Sequence, residues 1–373
     1  MNTNTRIKNL TKGLAVTAAA LILLQIAPVG AADEKALTIA QVVQTSAAND
    51  LSQQITDLEK GLKNQRAAYS PTGASLGAGP WAVTYAMSIA PLLQSASSKA
   101  TDYQETVNKN FQNEYGYYGN AYTLWLAGQN LQYQLANYNQ SANEKEMAQQ
   151  KLDQGTASQN DMLKAEISFN KAKADYLKTD GDYQSLLYKI NQTMGAPLSQ
   201  QFGVNDVSVV FLPESELQAE PLISDLQKNH TSLEAIRQLI YAYEHAYEIA
   251  DGQTDIRVPV EGIKGYYTRE IEEANLKLKQ AQNGIELAIR VYTNQLRSLQ
   301  ARIQLDQEAV EKMDRVYDNA TKLYEVGMST FDDMEKVRLS LVQLQLQLAQ
   351  DQKDYLLLTE KFRLFKLGAT FAE

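Results

Sequence analysis

Side chains suited to acid–base, metal or nucleophilic chemistry are few and poorly spaced. His230 and His245 are the only histidines, and they share one amphipathic segment without the spacing of a metal-ligand pair. Cysteine is absent, which removes disulfides, thiolate metal sites and a cysteine nucleophile. The run GASLGAG at 73–79 lacks the Lys-Ser/Thr of a phosphate loop and opens no convincing βαβ unit. Carboxylates such as Glu270, Glu272 and Glu273 fall on helical positions where a solvated face is the ordinary reading. The cluster Tyr115, Tyr117, Tyr118, Tyr122, Tyr133 and Tyr138 fits either a sugar- or membrane-interface surface or helix packing with hydroxyls facing water. No constellation points to an enzyme, and neither a cofactor nor a metal is expected.

One polar spacing occurs twice. Gly155, Ser158 and Asp161 recur as Gly327, Thr330 and Asp333. Met162 and Lys164 then fall on Met334 and Lys336, and Asp182-Tyr183 on Asp354-Tyr355. A glycine after a helical run supplies a left-handed residue that ends the helix. The hydroxyl three residues on caps a new helix, and the carboxylate three further reaches back to the cap. Each copy therefore predicts helix, tight turn, helix. The shared register predicts a tandem duplication, with halves at 32–197 and 198–373.

The elements that must carry these turns are long. Pro28, Pro71, Pro80, Pro91, Pro197, Pro213, Pro221 and Pro259 are all the prolines, so 92–196 and 260–373 are free of them. Both stretches are rich in strong helix formers. Between Pro91 and Gly155 there is room for a helix of about 80–90 Å, and 266–326 allows a similar length. Val337, Leu341, Leu344 and Leu348 step by four, three and four, while Leu339, Val342 and Leu346 form a second stripe. One stripe serves a single coiled-coil partner; two require a partner on either side, as in a sheet or cylinder of helices. A helix buried in a compact bundle has a similar pattern but not this length.

Each half starts with an amphipathic helix, LTIAQVVQTSAAND onward in the first and 222–250 in the second. A non-helical insert follows, then the long helix, the glycine turn and another long helix. The first insert alternates, with Val83, Tyr85, Met87 and Ile89 on one face. That pattern suits a membrane-barrel strand, an ordinary half-buried strand, or the first turns of the next helix. In the second insert Ile256, Val258 and Val260 alternate, but Pro259 weakens any ladder. The linker between the halves offers one short strand, VSVVF.

The N-terminus reads as a secretory signal peptide, 1–31. Arg6, Lys8 and Lys12 precede a short apolar run, and cleavage is expected after Ala31. A membrane anchor is the other reading, for which the run is short. Beyond it, 32 Lys and Arg face 44 Asp and Glu, a charge near −12 that argues against nucleic acid as a partner.

Taken together the chain resembles the TolC-like outer membrane efflux protein family. The most specific part is AQQKLDQGTASQNDMLKAEISFNKAKADYLKTDGDYQSLLYKINQTMGAPL, 148–198, with a second copy at 327–368. The resemblance implies an all-α dominated fold: long antiparallel coiled-coil helices in two pseudo-repeats, forming a TolC-like α-barrel protomer, here with reduced β inserts. It implies a homotrimer, a hollow duct across the cell envelope, and location in the outer membrane and periplasm where the host has them. It further implies docking through a periplasmic adaptor protein to an inner-membrane transporter, and passage of substrate without chemistry. The turns at Gly155, Ser158, Asp161, Gly327 and Thr330 would be the adaptor-facing tips. Family ducts are constricted by acidic side chains just after the second tip, which makes Asp333 the candidate constriction. The next acidic position falls on Lys336, so either Asp332 substitutes or Lys336 pairs with Asp333. Asp333 also serves as a helix cap, and the two roles are compatible. A non-conducting spacer of the same fold is the alternative function.

Overall fold

A computed structural model describes residues 37–49, 85–205, 207–254 and 260–371. Eight α-helices dominate them: α1 (Ile39–Asn49), α2 (Ala90–Asp102), α3 (Asn108–Asp153), α4 (Gln159–Met194), α5 (Ala219–Asn229), α6 (Glu234–Asp251), α7 (Val260–Glu325) and α8 (Phe331–Lys366). At 66 residues α7 spans about 100 Å. Two two-residue strands, β1 (Leu37–Thr38) and β2 (Val204–Asn205), pair in parallel and tie the start of α1 to the linker.

The four longest helices stand side by side in one layer, in the order α4, α3, α8, α7. Within it α3–α4 and α7–α8 are antiparallel hairpins, and α8 against α3 joins them. The two stripes on α8 are thereby explained, because α8 has α7 on one side and α3 on the other. The short helices cover the layer: α1 lies on α3 and α4, α5 on α7, and α6 between α7 and α2. Ile39 and Val42 of α1 meet Leu124 of α3 and Leu187 and Ile190 of α4 in one core. Ile223 and Leu226 of α5 meet Ile289 and Leu296 of α7 and Phe362 of α8 in a second. Each fully buried Leu or Ile contributes about 1.5–3 kcal/mol. Ala242, Ala246 and Ala250, all fully buried, line the face of α6 and let its neighbours approach.

Both hairpins close alike. The Gly155 N–H bonds to Leu152 O at 2.9 Å and the Thr156 N–H to Lys151 O at 2.8 Å. Gly327 and Met328 repeat this on Tyr324 and Leu323 at 2.9 and 2.8 Å. Gly155 and Gly327 sit at φ 69° and 72°, the left-handed residue of this double bond pattern.

Several expectations need correction. Val83 and the signal segment 1–31 lie outside the described residues. Tyr85–Ile89, which includes Met87, is a π-helical turn leading into α2, not a membrane strand. Pro91 at the start of α2 favours the helix, and Ile89 packs against Ala246 and Tyr267. VSVVF forms no strand. Its extension is held by side chains instead: the Leu212 N–H donates to the Tyr355 hydroxyl at 2.7 Å, and Phe211 stands edge-on to the Tyr355 ring. Ile256 and Val258 lie outside the described residues, and Val260 begins α7. The single helix expected over 222–250 is two, broken at His230. The tyrosine cluster is a packing feature: Tyr117 and Tyr122 are buried and the others half-buried.

Gly155→Val and Gly327→Val are each expected to cost about 1–2 kcal/mol in urea unfolding, because an added Cβ meets open space and only the left-handed backbone resists it. Gly368→Ala is expected to cost more than Gly327→Ala, since its Cβ would stand 2.5 Å from Thr231 Oγ1. Equal losses at 368 and 327 would contradict the packing described.

Candidate functional site

Each tip turn ends in a reciprocal cap. The Asp161 N–H donates to Ser158 Oγ at 3.3 Å, and the Ser158 N–H and hydroxyl donate to Asp161 Oδ2 at 3.1 and 2.7 Å. Thr330 and Asp333 repeat this at 3.1, 3.3 and 2.6 Å. The spacing in the sequence thus produces the predicted local structure at both sites. The Ser158 and Thr330 hydroxyls hold the Asp161 and Asp333 carboxyls below the usual carboxylate range.

Asp332 is engaged differently. Gln140 Nε2 of α3 donates to its Oδ1 at 2.8 Å, and Lys336 Nζ donates to its Oδ2 at 2.6 Å. Lys336 therefore pairs with Asp332 one turn away, and that bond raises its own pKa. Both candidate constriction carboxylates thus have structural partners: Asp333 within its cap, Asp332 across the α3–α8 seam.

The tips differ in surface. The second carries exposed Val326, Met328 and Phe331, with Tyr324 edge-on to Phe331 at 5.7 Å. The first carries Thr156, Ala157 and Ser158.

The edges of the layer hold the feature that the sequence reading missed. On α4, Leu163, Ile167, Leu177 and Tyr188 are exposed. At 100° per residue they fall within about 80° of one another. On α7, Leu276, Leu287, Val291, Leu305, Val316 and Leu323 are exposed within about 60°. A stripe of this length on one face of a helix marks an interface. The signal was legible in the spacing by eleven of Leu276 and Leu287, and of Leu305 and Val316. Among the described residues no group of His, Asp and Glu is placed to hold a metal, and no helix is long and apolar enough to cross a membrane.

This arrangement matches solved structures across most of its length. The outer membrane protein VceC of Vibrio cholerae aligns over 90% of this chain and 97% of its own, at 13% identity and a TM-score of 0.57. The CmeC outer membrane channel of Campylobacter jejuni aligns over 93% and 92%, at 10% identity and a TM-score of 0.59. CusC, described through its folding and transmembrane channel formation, aligns over 90% and 93%, at 12% and 0.57. The fold is TolC-like. No protein-family model and no curated protein matches the sequence.

Ser158→Ala and Thr330→Ala are each expected to cost about 1 kcal/mol. Because the capping carboxyls are depressed, their contribution is present above the ordinary carboxylate range and lost as pH falls through the lower folded value. Urea unfolding at about pH 7 and about pH 3 should show a smaller acid loss in Asp161→Asn and Asp333→Asn than in the parent chain. An identical loss in all three would contradict the caps.

Proposed function

We propose that the chain is a subunit of a homotrimeric helical duct that passes substrates across the cell envelope in an efflux or secretion system. In this reading it is exported behind its signal segment and works in the outer membrane and periplasm. The repeats 32–197 and 198–373 are its two quasi-equivalent parts. It performs no chemistry on its cargo and needs no cofactor. The tips around Gly155, Ser158, Asp161, Gly327 and Thr330 face a periplasmic adaptor protein and, through it, an inner-membrane transporter. Asp332 and Asp333 stand at the constricted end, where Lys336 offsets part of their charge.

The observation that carries this reading is the pair of uncovered edges. Gly155 to Gly327 is a step of 172, and the same step places α4 on α8 and α3 on α7. Leu163, Ile167, Leu177 and Tyr188 of α4 then correspond to Glu335, Leu339, Ala349 and Glu360 of α8, which are buried or half-buried. Within the chain, α3 lies against α8. The equivalent partner for α4 is an α7, and the chain's own α7 is at the far edge of the layer. A second copy supplies it. Such a head-to-tail contact is heterologous, so it closes into a ring when the rotation allows.

The seam inside the chain also gives the register. Facing residues total 472 at Gln140–Asp332 and 477 at Glu114–Arg363. On the edges Ile167 and Leu305 total 472, and Tyr188 and Leu287 total 475. The exposed apolar side chains of the two edges therefore meet in the register that α3 and α8 already use.

Leu305→Glu and Ile167→Glu are each expected to turn a sedimenting trimer into monomer and to abolish conductance in planar bilayers, since each buries a lone charge in an apolar seam. A parent chain that sediments as monomer, or trimers that survive both substitutions, would refute the proposal. A trimer without conductance would favour the spacer.

A further inference from the structure

His230 interrupts what its flanking sequence would make one helix. It is 2% exposed and extended, between α5 and the 3-10 turn Thr231–Leu233 that leads into α6. Its ring lies 5.0 Å from the Phe365 ring, and Nε2 is 3.1 Å from the Phe365 carbonyl oxygen. A carbonyl only accepts, so Nε2 carries the hydrogen in the neutral ring and Nδ1 is the acceptor. Nδ1 lies 2.7 Å from Ser232 Oγ and also accepts the Ser232 N–H at 3.4 Å.

The network continues into the other half of the chain. Phe365, whose carbonyl faces His230, lies one turn before Gly368, which Tyr103 holds from the first half. Tyr103 OH donates to the Gly368 carbonyl at 2.7 Å and lies 3.3 Å from Thr370 Oγ1. The Thr370 N–H donates to Asn108 Oδ1 at 2.7 Å. Tyr103 stands on a second π-helical turn, Tyr103–Val107, between α2 and α3. Gly368, at φ 114°, lies so close to Thr231 that no Cβ would fit. The end of α8 is thus held between the α2–α3 arm and the break at His230, at the end of the layer opposite the tips.

We propose that His230, Ser232 and Tyr103 form an acid-released latch that fastens the C-terminal end of α8 to the α2–α3 arm. Proton uptake at Nδ1 turns the ring into a buried cation and reverses the Ser232 hydroxyl from donor to acceptor. The Ser232 N–H then faces a donor. The carboxylates of the adjoining elements do not compensate: Glu216 before α5 is held by Lys366 at 3.4 Å, and Glu234 of α6 by Lys99 at 3.1 Å. Tyr103 from the α2–α3 arm and Tyr292 of α7, which meets Phe365, are titratable groups on the other elements packed there. Neither is a source of negative charge, and burial pushes the Tyr103 hydroxyl up. Burial pushes the His230 imidazole below the ordinary histidine value, so folding is favoured above that value and loses stability as pH falls beneath it.

Hydrogen exchange read by mass spectrometry on the full assembled chain tests this at about pH 7.5 and about pH 5, after correction for intrinsic rates. Protection of 99–107 and 362–371 is expected to fall together, about tenfold per pH unit below the ordinary histidine range, while 150–162 and 322–336 hold. His230→Gln is expected to remove the acid step. No step in the parent chain, or a step retained in His230→Gln, would overturn the latch. Tyr103→Phe keeps the test decisive if His230→Gln does not fold. It should raise exchange of 362–371 about fivefold near neutral pH, and unchanged exchange would equally overturn the proposal.

Discussion

A helix with apolar side chains on two faces must have a neighbour on each side. That constraint organises this molecule. It makes α8 the second inner helix of a row, because Leu341 and Leu348 are buried and the stripe of Leu339, Val342 and Leu346 beside them is half-buried. It is satisfied for α3 and α8 and unsatisfied for α4 and α7. A row of helices has two ends, as a sheet has two edges, and its ends stay apolar unless the row closes. The single layer, the uncovered stripes and the proposed ring are three consequences of one packing rule.

The turns are what keep the row flat. A hairpin that ended loosely could splay or cross its neighbour. Each tip instead fixes its chain reversal with a left-handed glycine, two backbone bonds and a reciprocal hydroxyl–carboxylate cap. The same carboxylates that the resemblance offers as a duct constriction are therefore first of all structural. Asp333 closes the cap, and Asp332 bridges Gln140 on the adjoining hairpin. Any role in selecting cargo would have to be performed by side chains already committed to position, with Lys336 beside them lowering the local negative charge.

Local chemistry was readable in the sequence, and partnership was not. The Gly-Ser-Asp and Gly-Thr-Asp spacings specified their caps because every bond involved lies within a few residues. The proline-free stretches specified long helices for the same reason. The alternation up to Ile89 left strand and helical start both open, because a run of this kind before Pro91 fits either, and only the packing of Ile89 against Ala246 and Tyr267 decides. VSVVF misled because a strand needs a ladder partner, and Tyr355 took that place with its hydroxyl. The break at His230 depends on Phe365, which is distant in sequence. The edge stripes on α7 were present in the spacing, but exposure separates them from core, and exposure is a property of the folded chain.

The central claim is that α4 of one copy pairs with α7 of the next in the register of the α3–α8 seam. Since the chain has no cysteine, a double variant Ile167→Cys/Leu305→Cys carries only the two thiols at issue. Oxidation followed by denaturing electrophoresis is predicted to give covalent dimers and closed trimers and nothing larger, with either single variant remaining monomeric. A double variant that stays monomeric, or that builds an unlimited ladder, would contradict it.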